Sequence, residues 1–267
     1  MAESAMARAV RRQEELPSPA AAYGGDSPGE RAVWRLRSRG CWDDAAALLE
    51  PYVPGSPATA LRRASLLVER CMFTGSGWEA AEDALRLAEA AARDDDARGA
   101  AASERGHLAY VATVLGVRDR SDEARAALGR AAALLDQASP ARAMLDYRRG
   151  LVAEHVSDNT EAAQAAYRRA HTGATAHGDA LLCSFTWRHL AGLALREGEL
   201  AEARHGFTES LLLRERLGFL VGMAPALVAL ADVQEKHEAT RLLEEATRLF
   251  RLLGGVPTWL APRLEAA

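Results

Sequence analysis

One local pattern recurs along this chain at intervals of about 40 residues. Each copy has a turn, an acidic or capping residue, an alanine, and a large residue four positions after that alanine. The clearest copy begins at Gly198 and Glu199 and continues to Ala203 and Phe207. The other copies carry the alanine and the large residue at Ala45 and Leu49, Ala81 and Leu85, Ala124 and Leu128, Ala163 and Tyr167, and Ala239 and Leu243. Such a repeat predicts a stack of about six similar units, each covering the apolar face of its neighbour.

Each unit is interpreted as two antiparallel helices. The glycine or polar turn ends one helix, the acidic residue favours the positive N-terminus of the next, and the alanine permits close approach of the helices. First helices are predicted to begin near residues 28, 57, 97, 140 and 180, where Ser-Pro pairs or the aspartates Asp96 and Asp179 can cap them. Helix-forming alanine, leucine, glutamate and arginine are abundant, and strand-like alternation is nowhere sustained. The predicted fold class is therefore all-α.

Breaks in the pattern divide the chain into three segments. A stretch rich in proline, alanine and glycine at 17–26 precedes the repeats, so residues 1–26 are predicted to be an N-terminal arm and linker. Residues 27–255 are predicted to form the helical repeat domain. The Gly-Gly-Val-Pro sequence at 254–257 ends the last unit and leaves 256–267 as a C-terminal tail or capping turn.

Composition argues against several functions. The formal net charge of −4 at pH 7 gives no general attraction to nucleic acid or to an anionic membrane. Cys41, Cys71 and Cys183 are odd in number and widely spaced, so neither a disulfide framework nor a zinc site is expected. Residues 1–16 lack the apolar core of a signal peptide, and no apolar stretch is long enough to span a membrane. A cytoplasmic protein without cofactor or metal is expected.

The best copy of the pattern resembles the tetratricopeptide repeat family. From Trp187 to Ala203, with Phe207 and Ser210 beyond, it is similar to the family's Trp, Leu-Gly, Tyr, Ala, Phe, Ala pattern, with alanines replacing the second-position glycine and the tyrosine. The phrases at 211–218 and 238–246 resemble the helical sensor arrays of large actinobacterial and MalT-like regulators. The resemblance covers about residues 28–255. The phosphate-loop motif and the basic helix-turn-helix of those regulators are missing from this sequence.

The resemblance implies a right-handed superhelical stack, a tetratricopeptide-like α-solenoid, whose first helices line a concave groove. It also implies an interaction scaffold or a ligand-sensing adaptor that binds a peptide or partner protein in that groove. The repeat register projects eight residues onto the inner face: Trp34, Arg37, Arg63, Arg70, Tyr110, Arg148, His155 and Arg188.

If these stripes align, the groove is basic and suits an acidic peptide, a chain terminus or a small anionic metabolite, bound through forked, charge-assisted hydrogen bonds. Exchanging both Arg148 and Arg188 for glutamate is then predicted to abolish binding. The competing interpretation is that these arginines lie on ordinary solvated helix faces, because arginine is frequent throughout the chain.

Catalysis is the alternative function. Five polar side chains could converge in an enclosed pocket: Tyr110, Tyr147, Glu154, His155 and His189. Glu154 and His155 are adjacent, however, and point about 100° apart on a helix, which is poor geometry for a carboxylate that orients a base. No metal or nucleophile motif is present. A deep pocket with perturbed pKa values would favour an enzyme and an open groove a scaffold, and binding without catalysis is the favoured prediction.

The last unit is unusually apolar, which raises the possibility of a homodimer. End units of solenoids need polar outer faces, so an uncovered apolar end would favour self-association. The residues concerned are Phe219, Leu220, Val221, Met223, Ala224, Leu227, Val228 and Leu230.

Overall fold

The computed structural model describes residues 25, 27–257 and 259–265. Within them, twelve helices pack as six consecutive antiparallel pairs, which confirms the predicted all-α stack of about six units. The pairs are α1 (Pro28–Ser38) with α2 (Trp42–Leu49), α3 (Pro57–Thr74) with α4 (Trp78–Ala91), α5 (Asp95–Val114) with α6 (Ser121–Leu134), α7 (Ala141–His155) with α8 (Thr160–Ala176), α9 (Ala180–Arg196) with α10 (Leu200–Leu217), and α11 (Leu220–Ala231) with α12 (Lys236–Leu252). A 3-10 turn (Glu50–Gly55) follows α2, and a short helix, α13 (Ala261–Glu265), ends the described chain. The predicted arm at 1–26 lies outside the described residues, apart from Gly25.

Three of the first helices, α1, α3 and α9, begin at the side-chain caps that the sequence predicts. Ser27 and Glu30 form a capping box at α1, with each side chain 3.1 Å from the other residue's backbone nitrogen. The Asp179 side chain accepts a hydrogen bond from the backbone of Leu182 at 2.9 Å and caps α9. The cap of α5 is Asp94 rather than the predicted Asp96, whose carboxylate instead accepts a hydrogen bond from Ser139 at 3.0 Å.

The helices of each pair approach closely where the repeat has small residues. Five of the six repeat alanines of the second helices, among them Ala81, Ala124 and Ala203, are fully buried, and Ala239 of the last pair is partly buried. In the fourth pair, Gly150 of α7 faces the fully buried ring of Tyr167, the large residue of its repeat. A Cβ added at Gly150 would lie 2.5 Å from that ring, so only glycine permits this contact.

We expect Gly150→Ala to lower the free energy of unfolding, because overpacking costs about 1–3 kcal/mol and outweighs the gain in helix propensity of at most about 1 kcal/mol. The matched control is Gly129→Ala in α6, where an added Cβ meets no atom within 4 Å. Gly129→Ala should raise stability by about 0.5–1 kcal/mol. Urea unfolding of both variants checks the pair. Equal stability of the two would contradict the close approach of α7 and α8.

The first and last units pack against each other, so the stack closes on itself. The ring of Trp34 stacks on that of Phe219 with centroids 5.9 Å apart, and Trp34 Nε1 donates to the backbone oxygen of Leu217 at 3.3 Å. Val221 continues this buried cluster, which joins α1, α2 and α3 to α9, α10 and α11. Gly40, in a left-handed turn with φ +78°, lies against both Trp42 and Val221.

This closure removes the reason to expect self-association through the last unit. Most of the apolar residues that suggested a homodimer are buried within the chain, with Phe219 and Val228 each 1% exposed. The sequence-based expectation treated these residues as an open end. The first pair covers Phe219 and Val221, whereas Val228 and Leu230 lie in a second buried cluster with α9, α10 and α12.

The residues after α12 form a cap instead of a free tail. Gly254 and Gly255 turn the chain back, Leu260 is buried among the last helices, and Arg263 forms an ion pair with Asp232. Across residues 27–257 and 259–265, no helix combines the length and the apolar character that crossing a bilayer requires.

Candidate functional site: the central cavity

All six first helices surround one cavity, which we call the central cavity. Its volume is about 710 Å³, within the roughly 300–1,000 Å³ typical of sites for small ligands. The lining comes from α1, α3, α5, α7, α9 and α11, together with Arg214 of α10 and Trp259 of the C-terminal cap. The predicted inner surface of first helices is therefore present, but closure of the stack turns the predicted open groove into a cavity.

Positive charge predominates in this lining. Five arginines line the central cavity against two glutamates, Glu69 and Glu104. The arginines are Arg37, Arg62, Arg148, Arg188 and Arg214. Most of the remaining lining is apolar or aromatic, and Arg37 is neutralised by Glu69 at 2.8 Å.

One side of the cavity carries a buried ion pair between Arg148 and Glu104, which are 8% and 2% exposed. Arg148 also donates to Ser103 Oγ at 2.9 Å, and Glu104 accepts from Ser65 Oγ at 2.7 Å and faces His107 at 3.4 Å. Burial would raise the pKa of Glu104, but the charge of Arg148 and the hydrogen bonds of His107 and Ser65 hold it well below its usual range. Every charge in this group therefore has an internal partner, which indicates a structural role.

Two other arginines of the lining have no acidic partner within the described part of the chain. Arg214 is 3% exposed, donates to the backbone oxygen of Gly222 at 2.6 Å, and lies over the ring of Phe185 at 5.4 Å. Burial, and then the charge of Arg188, lowers the pKa of Arg214 to about 9. Among the described residues, no carboxylate lies within ion-pair distance of Arg214 or of half-buried Arg188. A buried cation without a counter-ion is costly, so this side of the cavity is suited to an anion.

A second polar cluster joins α7, α8 and α9. Glu154 Oε2 accepts from Tyr167 at 2.7 Å and from His189 Nδ1 at 3.0 Å, while Oε1 accepts from Arg196 at 2.9 Å. Tyr147 hydroxyl lies 3.3 Å from His189 Nε2, which completes a chain from carboxylate to imidazole to phenol. The sequence analysis included His189 among the groups that could converge, but it weighed only the adjacent His155 as a partner of Glu154. The structure pairs Glu154 with His189 instead, 35 positions away on the next helix pair.

The pKa values in this cluster favour hydrogen bonding over proton transfer. Burial lowers the pKa of His189 to about 4, which leaves its imidazole neutral at pH 7. Burial also raises the pKa of Tyr147 to about 12. Burial opposes ionisation of Glu154, but its hydrogen bond from His189 and the charges of the two histidines keep its pKa well below its usual range. None of these groups titrates near neutrality, where a general acid or base is most effective.

Five of the eight predicted groove residues line the central cavity: Arg37, Tyr110, Arg148, His155 and Arg188. The projection needs correction for the other three. Trp34 is buried where the stack closes, and Arg63 and Arg70 face the preceding pair, where they contact Glu50 at 3.8 Å and Asp43.

The rotation of α3 about its own axis explains why Arg63 and Arg70 do not line the cavity. Arg62, one position before Arg63, faces the cavity, and one residue is a rotation of about 100° on a helix. Sequence reasoning also missed Glu104 and Arg214, since the first lies in the loosely matching α5 and the second on a second helix.

A smaller cleft of about 440 Å³, separate from the central cavity, lies beside α4 and α6. Its partly buried carboxylates, Glu82 and Glu123, are paired with arginines, and the other charged residues of its described lining, apart from Arg120, are exposed. Among the described residues, this cleft therefore offers no buried unpaired charge comparable to Arg214.

The stacked pairs and the lining of the cavity define the class of protein: a tetratricopeptide-like α-solenoid, a fold that generally serves as a protein-interaction scaffold. Among solved structures, the fold is similar to that of BtubC (BKLC) from P. vanneervenii, with a TM-score of 0.53 and 15% sequence identity. The match covers 86% of this chain and 94% of BtubC. At this identity the likeness concerns the fold alone. The sequence matches no protein-family model and no curated protein.

Proposed function

We propose that this protein is a ligand-sensing adaptor that binds the anionic group of a compact ligand in the central cavity. The observation that carries the proposal is the pair Arg188 and Arg214, which lie in a largely apolar cavity without a carboxylate partner among the described residues. An arriving carboxylate would form forked, charge-assisted hydrogen bonds and neutralise them.

The shape of the cavity supports a compact ligand. The first helices and Trp259 line a half-open cavity of about 710 Å³, so a chain terminus or a small metabolite fits better than a long extended peptide. Two buried donors of the lining, Nε of Arg148 and Nε1 of Trp259, have no hydrogen-bond acceptor among the described residues. A ligand with polar atoms beside an apolar body would satisfy them.

The proposed role is ligand binding without catalysis. The chain Glu154, His189 and Tyr147 is the feature that favours an enzyme, but its histidine and phenol have pKa values near 4 and 12, far from the pH at which they would exchange protons efficiently. The resemblance to sensor arrays of regulators supports a signalling role, in which ligand binding would change the surface presented to a protein partner.

Two pairs of probes test the anionic site. Indole-3-acetic acid is compared with its amide, and a short peptide ending in tryptophan is compared with its C-terminally amidated form, by calorimetric titration. We expect at least one acid to bind about 10–100-fold more tightly than its amide, because a hydrogen bond to a charged group contributes about 1.5–3 kcal/mol. The acid that binds distinguishes a metabolite from a chain terminus.

Arg188→Gln should remove this preference for the acid while leaving the free energy of unfolding within about 0.5 kcal/mol of the original. The control is Arg216→Gln, which changes an exposed arginine two positions after Arg214 on the same helix. Equal affinity for acid and amide, or unchanged acid binding by Arg188→Gln, would refute the proposal.

A further inference from the structure

Three potential metal ligands from two helix pairs meet at the wall of the central cavity. Glu154 and His155 end α7, and His189 lies on α9. Each residue offers one donor atom, and these atoms all lie within 4.8 Å of one another. We propose that Glu154, His155 and His189 bind a divalent transition-metal ion of the Zn²⁺ type, independently of the anionic ligand.

The donor separations suit a small ion. Ligands of a tetrahedral zinc site, with bonds of about 2.0–2.2 Å, lie about 3.4 Å from one another. Glu154 Oε2 is 3.0 Å from His189 Nδ1 and 3.8 Å from His155 Nε2, so the two distances bracket that value. The His155 side chain is 38% exposed and can rotate to adjust the third separation.

The hydrogen bonds of His155 leave a metal-binding nitrogen free. Its Nδ1 lies 3.1 Å from both the backbone oxygen of Leu151 and the Tyr110 hydroxyl oxygen. The Leu151 oxygen can only accept, so we assign the proton to Nδ1, from which it can be donated to both oxygens. Nε2 then carries a lone pair that faces the Glu154 carboxylate at 3.8 Å, beyond hydrogen-bonding distance. Two acceptors that face each other without a proton between them are stabilised by a cation.

The neighbours of the other two ligands can orient them for coordination. Arg196 holds Glu154 Oε1 at 2.9 Å, which leaves Oε2 as the ligand atom. His189 Nδ1 lies 3.0 Å from Glu154 Oε2, and its Nε2 lies 3.3 Å from the Tyr147 oxygen. In the tautomer with the proton on Nε2, the Tyr147 oxygen accepts that proton and Nδ1 can bind an ion placed between it and Oε2. This change of tautomer moves the proton from Nδ1 to Nε2 of His189 and releases no proton to the solvent.

The donor set selects the kind of ion. Two imidazoles and one carboxylate suit Zn²⁺ and its neighbours in the transition series, whereas Mg²⁺ and Ca²⁺ prefer oxygen ligands. His155 and His189 both line the central cavity, so the remaining coordination position would open towards it. Sequence reasoning expected no metal because the third ligand comes from the next helix pair.

The test is calorimetric titration of the full chain, freed of metal by dialysis against EDTA, with ZnCl₂, and the visible absorption of its Co²⁺ complex. We expect saturable binding of one ion per chain and the intense bands of tetrahedral Co²⁺. His155→Ala, which changes a partly exposed side chain, should weaken Zn²⁺ binding by at least about tenfold. His177→Ala, at an exposed loop histidine, is the matched control and should bind as the original does.

Glu154→Gln gives a second variant of the same shape, with folding checked by circular dichroism, and should also lose binding. The absence of saturable Zn²⁺ uptake, or equal binding by the His155→Ala and His177→Ala variants, would overturn the proposal. The Zn²⁺ site and the anionic site can fail separately. Arg188→Gln should retain Zn²⁺ binding, and the metal-free protein should still bind the acid probe more tightly than its amide.

Discussion

Arg148→Ala should lower the free energy of unfolding by about 3–5 kcal/mol, since it leaves the buried carboxylate of Glu104 without its counter-charge. Glu104 would keep the hydrogen bond from Ser65 at 2.7 Å and the contact with His107 at 3.4 Å, but neither replaces a cation. The cost is large because a carboxylate that is only 2% exposed cannot recover its solvation by water.

Urea unfolding of three variants measures this effect. Arg149→Ala is the matched control, because Arg149 is exposed on the same helix and its removal should change stability by no more than about 0.5 kcal/mol. The double variant Glu104→Gln with Arg148→Met should recover most of the loss, since it removes both charges together. If Arg148→Ala were as stable as Arg149→Ala, the ion pair between Arg148 and Glu104 would have no structural role.

This structural role also changes how the cavity should be tested. The joint charge reversal at Arg148 and Arg188 suggested by the sequence would place two carboxylates together at 104 and 148, and loss of binding would then report unfolding. Arg188 alone separates recognition from stability.

Acidification from pH 6.5 to pH 4 should reduce stability by about 3 kcal/mol through His189 alone. The pKa of His189 is about 4 in the folded state, below its ordinary value of 6.5, because of burial. Between these values the unfolded chain binds a proton that the folded chain does not. The stabilisation is therefore complete above about pH 6.5 and is lost as the pH falls towards 4. Burial lowers the pKa of His107 as well, which adds loss in the same direction.

Free energies of unfolding measured across this pH range check the prediction. His189→Gln should flatten the profile between pH 6.5 and 4, whereas His177→Ala, at an exposed histidine, should leave its slope unchanged. NMR titration of the His189 ring measures its pKa directly. A pKa above 6.5 would mean that attraction by Glu154 outweighs burial, and the pH dependence would then reverse.

Sequence alone determined the architecture of this protein. The repeated alanines and large residues, the Ser-Pro caps and the glycine turns each act within one helix pair, and local periodicity is enough to specify them. The predicted starts of the first helices near 28, 57, 140 and 180 agree with α1, α3, α7 and α9 to within a residue or two.

Only the tertiary structure decided the site. Whether the stack stays open or closes depends on small rotations between pairs that accumulate over six units, and no local pattern records their sum. Closure buried Trp34 against Phe219 and turned the groove into a cavity. Packing between consecutive helix pairs likewise joined Glu154 to His189 and paired Arg148 with Glu104. It left Arg188 and Arg214 without an acidic partner among the described residues.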